Sequence, residues 1–170
     1  KNIIEQIEYV KSAKISFLLP DIFIIQIVER CPIFMISDGN YKVFYDTHGK
    51  QLKVNSKSIN HFPVPIVTYK EQQHLKHIGT NKTLNIMNEI FINNAYLYND
   101  ISEVIIKENL ITLITDKYTK IIINDNLLKG QLGILHSFEK TINHIKNIAD
   151  YEYIDLSVKN KIIVKEKNHG

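Results

Sequence analysis

Ile3, Ile4, Ile7 and Val10 recur at helical spacing and predict a short helix over residues 2–10. The period then changes. Residues 12–18 alternate, with Ala13, Ile15 and Phe17 on one side, as in a strand. Pro20-Asp21 forms a turn pair, because proline presets φ and aspartate bonds its own backbone. Residues 22–30 are apolar on both faces until Glu29, which predicts a strand covered on both sides. Cys31-Pro32 marks a junction, since proline has no N–H for a continuing central ladder.

Beyond Pro32 the alternation predicts a meander: strands at 33–37, 41–45 and 51–54, with turns at Asp38-Gly39-Asn40 and Asp46-Thr47-His48-Gly49. Residues 55–65 carry Asn, Ser and two prolines and read as a loop, followed by a short strand at 66–69. Thr80 or Asn81 is placed to cap a helix with Leu84, Met87, Ile90, Phe91 and Ala95 on one stripe. Strands follow at 102–107, 110–115 and 118–123, turning at Glu108-Asn109 and Asp116-Lys117. Asn124 or Asn126 caps what reads as the longest helix, with Leu128, Leu132, Leu135, Phe138, Ile142 and Ile145 at helical spacing. Strands at 152–158 and 162–166, joined through Lys159-Asn160-Lys161, end the pattern. A sheet with helices, without regular β-α-β alternation, predicts an α+β fold that is mostly antiparallel.

With 170 residues, 44% of them apolar and 23% charged, the chain can bury a real core. The net charge of +3 is spread over scattered lysines, so no nucleic-acid partner is expected. No apolar run reaches the roughly 18 residues of a membrane span; the best, Ile15 to Val28, is broken by Pro20 and Asp21.

Candidate chemistry is sparse. His74 and His77 share a helical spacing, but they lie in a polar segment, QQHLKH, and read as surface histidines, so no metal or cofactor is expected. His136 and His144 sit near Lys140 and Lys146 and read as solvated. Asp46 and His48 belong to a hairpin, with Asp46 bonding the turn backbone. Cys31 follows an apolar strand and reads as a packed or partly buried thiol, with Arg30 as the single nearby cation. The phosphate-binding, nucleophile-elbow and zinc-helix motifs are all missing, so the sequence gives an enzyme no support.

Several ordered pieces resemble the extracytoplasmic part of the bacterial FtsQ/DivIB cell-division family. Val10 and Ala13 match its V-x-x-A, Pro20 its hairpin proline, and Glu29-Arg30-Cys31-Pro32 its junction step. Asp46 and Gly49 match a D-x-x-G hairpin, FPVPIVTY the loop before the β-domain helix, and Asp155-Leu156 the penultimate strand. Ser157, Val158 and Lys161 stand where the family often carries an arginine, an aromatic and a glycine.

The resemblance implies the C-terminal half of a POTRA domain over residues 1–31 and a β-domain with two helices over residues 32–167. It implies a non-catalytic scaffold, set in the periplasm by a single inner-membrane helix that this chain lacks. The missing POTRA half implies a truncated chain, with a genuinely reduced protein as the alternative. The implied partners are the FtsB (DivIC) and FtsL proteins, with other division proteins meeting the POTRA part. By position, the implied docking strip is Leu156, Ser157, Val158, Lys159, Asn160, Lys161, Ile162, Ile163, Val164 and Lys165. Ile162 and Val164 are expected on one face, with Ile163 and Lys165 on the other. Another extracytoplasmic POTRA-type docking module of envelope assembly is the competing expectation, although such proteins repeat their units and this chain shows no repeat.

Overall fold

The computed structural model describes residues 2–38, 41–54, 59, 61–70 and 78–168. Its first helix, α1 (Asn2–Glu5), is much shorter than the expected 2–10. The chain leaves it early because backbone and side-chain bonds draw it into a ribbon. The Arg30 N–H donates to the Tyr9 carbonyl at 2.7 Å, and the Ala13 N–H to Glu5 Oε1 at 3.1 Å. β1 (Val10–Leu18) and β2 (Ile22–Glu29) form that ribbon, with Ala13 opposite Ile27, Ile15 opposite Ile25 and Phe17 opposite Phe23. The expected covering of residues 22–30 is not found. β2 is exposed along its length, and only Val10 and Ala13 of the ribbon are buried. Cys31 is likewise exposed rather than packed.

A second, nine-stranded sheet begins at Pro32. Its strands are β3 (Pro32–Asp38), β4 (Tyr41–Asp46), β5 (Gln51–Lys53), β6 (Ile66–Tyr69), β7 (Ile101–Lys107), β8 (Leu110–Thr115), β9 (Lys120–Asn124), β10 (Tyr151–Leu156) and β11 (Ile163–Glu166). They lie in the order β11-β10-β9-β8-β7-β6-β3-β4-β5. The fold is α+β and mostly antiparallel, but β3–β6, β6–β7 and β9–β10 pair in parallel. Two of these pairs follow from the helices. α2 (Ile78–Asn93) and α3 (Ala95–Asp100) carry the chain from β6 back to the start of β7, and α4 (Leu128–Ile142) does so from β9 to β10. A crossover of that length returns the chain to the same end of the sheet, so the strands it joins run parallel.

The helices cover one face. Phe34, Val67, Val104, Leu113, Ile121 and Ile154 pack there with Met87 and Ile90 of α2 and Leu132 and Leu135 of α4. Each such side chain contributes about 2 kcal/mol on burial. Met35 points the other way from Phe34 and joins Phe44 and Leu52 in a smaller cluster on the opposite face. Tyr9 and Phe62 lie over it, with stacked rings 5.7 Å apart.

Several boundaries moved for local reasons. The stripe expected through Ala95 breaks at Asn94, whose φ of −141° is not helical, and Ala95 is exposed. The chain then restarts as α3, where the Tyr98 hydroxyl donates to the Ile33 carbonyl at 2.8 Å and ties the helix to the start of β3. Burial pushes that phenol up to about 12, so it remains a donor. β9 starts at Lys120 because Tyr118 turns with φ +63°. Neither Asn124 nor Asn126 caps α4, which starts after Leu127 without a side-chain cap; Asn124 instead caps the short turn Asp125–Leu127, its Oδ1 accepting from the Asn126 N–H at 3.1 Å. α4 ends at Ile142, so Ile145 lies beyond it and is 84% exposed.

Candidate docking edge

The sheet has two ends, and the chain treats them differently. At the β5 end the strand is three residues long, and its outer backbone is occupied at Lys53. The Lys53 N–H donates to Glu8 Oε1, and the Lys53 carbonyl accepts from the Tyr9 hydroxyl at 2.6 Å. Both partners come from the segment before β1, so the first unit covers this edge at Lys53. Arg30 fixes the same junction: its Nη1 lies 2.7 Å from Asp46 Oδ2.

Asp46 is 3% exposed and does what its turn position suggested. Its Oδ1 accepts from the His48 and Lys50 N–H groups, each at 2.9 Å. Burial alone would raise this carboxyl. The Lys50 N–H, the Arg30 guanidinium and the His48 N–H together outweigh burial and hold it below the usual carboxylate range.

At the other end, among the described residues, β11 pairs with β10 on one side only. The strip expected from sequence falls here, spread over three environments. Leu156 closes β10 and is 0% exposed, packed in the main core. Ser157 is half-buried, its N–H bonding Asp155 Oδ1 at 2.8 Å, so β10 ends there rather than at residue 158. Val158, Lys159, Asn160 and Lys161 form an exposed turn, with Asn160 at φ +57° and the Lys161 N–H on the Val158 carbonyl. Ile162 packs against the main core, and Ile163, Val164 and Lys165 lie on the edge strand. Val164 stands opposite buried Ile154, and Ile163 opposite Asp155, so the two alternate between the helix face and the open face.

Sequence reasoning missed the residue that positions this turn. Gln131 of α4 is buried, and its Nε2 donates to the Val158 carbonyl at 3.0 Å. Only its place on the core side of the α4 stripe hinted at such a role.

Lysines along an edge commonly repel unwanted strands. Here two of them fold back onto the sheet. Lys165 Nζ is 2.7 Å from Glu152, and Lys167 Nζ bonds the Lys117 and Ala149 carbonyls. Lys159 and Lys161 remain exposed at the turn, with no ion pair among the described residues.

No group of three metal-ligating side chains occurs among the described residues, and no helix there is long and apolar enough to cross a membrane. His74 and His77 lie outside the described residues. His136 faces Glu139 at 3.9 Å across one helical turn, in the open. An open groove of about 980 Å³ lies between α2 and the start of α4. Its charged groups, Lys82 with Asp125 and Lys129 with Glu89, are paired to one another.

No family model matches this chain. No curated protein matches it. Among solved structures it is similar to the major extracytoplasmic domain of the trans isomer of the bacterial cell-division protein DivIB from Geobacillus stearothermophilus. The identity is 11% and the TM-score 0.46, over 71% of this chain and 99% of that one.

Proposed function

We propose that the chain is a non-catalytic docking module of the bacterial cell-division machinery, working on the outer side of the inner membrane. In this reading residues 1–31 are the trailing part of a POTRA domain, and residues 32–167 form the domain that binds. The partners are the FtsB (DivIC) and FtsL proteins, and the contact is strand addition at β11.

The observation that carries the reading is the unequal treatment of the sheet's two ends. A free edge is a template for unintended pairing, and folded proteins protect it. This chain places Glu8 and Tyr9 over β5 yet leaves β11 open, with two of its four nearby lysines tied to the sheet itself. Open backbone at a sheet edge supplies affinity for an extended segment, and alternate side chains supply selectivity. The ordered motifs from Val10 to Leu156 support the choice of machinery.

Calorimetry with the purified FtsB/FtsL-type pair of the same organism tests the proposal. The chain is expected to bind, and a Lys159→Glu, Lys161→Glu double variant is expected to bind about tenfold more weakly. Equal affinity of the variant, or no binding by the unaltered chain, sinks the reading.

A further inference from the structure

Taking β11 as the docking edge, we infer that it accepts an extended partner in one backbone phase only, and that the partner alternates apolar and acidic side chains. Along an antiparallel strand, successive residues direct their N–H and C=O groups alternately to the two sides. The Lys167 N–H donates to the Asp150 carbonyl at 2.9 Å, toward β10. The register shifts between Tyr151 and Tyr153, where β10 carries one residue more than β11; β11 itself runs on without an insertion, so Lys165 and Ile163 also direct their backbone groups inward. Ile162, Val164 and Glu166 therefore direct theirs outward, and these are the groups an added strand bonds.

In that phase the inward-bonded pairs are Lys165 with Tyr153 and Ile163 with Asp155. Replacing Ile163 with proline would therefore break the β10–β11 ladder, whereas the outer donor lies at Val164.

The side chains then define the occupant. A partner residue opposite Val164 shares the helix face. There it meets Val164, which is 39% exposed, on the strand whose Glu166 pairs with Lys146. With the exposed Val164 side chain beside it, this position suits an apolar side chain. Partner residues on the other face meet Ile163, which is 48% exposed, with Lys165 two residues further along β11 and Lys161 exposed in the turn before it. Lys165 already has Glu152, so Lys161 is the cation left for a partner carboxylate.

Residue-resolved amide hydrogen exchange on the full chain tests both halves. In the free protein, Ile163, Lys165 and Lys167 are expected to exchange slowly, and Ile162, Val164 and Glu166 quickly; the reverse pattern overturns the phase without any partner. Adding an acetylated nine-residue peptide of alternating valine and glutamate is expected to protect Ile162, Val164 and Glu166. A lysine-for-glutamate peptide is expected to protect them about tenfold less. Equal protection by both peptides, or none by either, overturns the partner chemistry. Protection that rises with protein concentration alone overturns it too, by identifying the occupant as a second copy of this chain. Val164→Pro should abolish peptide protection while leaving exchange at Ile163 and Lys165 slow; retained protection in this variant counts against the phase. The peptide result stands or falls apart from the FtsB/FtsL measurement, so the two readings fail separately.

Discussion

Asp46 ties the turn after β4 to the link between ribbon and sheet. Three donors converge on its carboxylate, and one of them, Arg30, belongs to the link between ribbon and sheet. Its folded pKa is depressed, so its stabilisation is complete above the unfolded value near 4 and disappears as the pH falls through the lower folded value. Asp46→Asn is therefore expected to cost about 2 kcal/mol near neutrality. In urea unfolding, the gap between variant and parent should close below about pH 4; a gap constant with pH would show that the carboxylate's charge does not matter. Gly49 completes the same turn at φ +75°, and a Cβ there would sit 2.9 Å from Leu84 Cδ2. Gly49→Ala should cost at least about 1–2 kcal/mol from the backbone alone, read as a lowered thermal midpoint.

At the scale of elements, the β10–β11 connection depends on a helix that is distant in sequence. Gln131→Leu removes the bond to the Val158 carbonyl, but it also removes a buried Oε1 that has no hydrogen-bond partner. The two effects oppose each other, each about 1 kcal/mol. Overall stability should change by less than about 1 kcal/mol, while the Lys161 amide, bonded within that turn, exchanges faster. A large global loss with unchanged exchange at Lys161 would refute the positioning role.

Elements of this kind mark how far the sequence could be read. Alternation located the strands, because side chains on a half-covered sheet obey a period of two. The Asp46 turn was legible because it is held by short-range bonds between neighbours. Pairing order was not legible: β6 lies between β3 and β7, and no local pattern encodes that. The break at Asn94 also escaped, because Tyr98 reaches a carbonyl 65 residues away. The last strand could be placed, but not its phase, which rests on the Lys167–Asp150 bond.

For the molecule as a whole, the unresolved tension is the ribbon. One of its faces is wholly apolar: Ala13, Ile15 and Phe17 run beside Ile27, Ile25 and Phe23. Apart from Ala13 that face is open, with Phe23 72% exposed. Two strands alone are marginal in water, and an apolar patch of this kind marks a surface that something else covers. The ribbon meets the large sheet through Arg30, Glu8 and Tyr9 at its base, so its outer part should contribute little to the stability of that sheet. Phe17→Ser, Phe23→Ser and Ile25→Ser together should therefore cut binding of a hydrophobic dye by more than half and leave the main unfolding midpoint unchanged. If the midpoint falls instead, ribbon and sheet unfold as one cooperative unit, and the division at residue 31 is not a domain boundary. If dye binding is unchanged, the open face lies elsewhere, and the exposed edge of β11 becomes the first place to look.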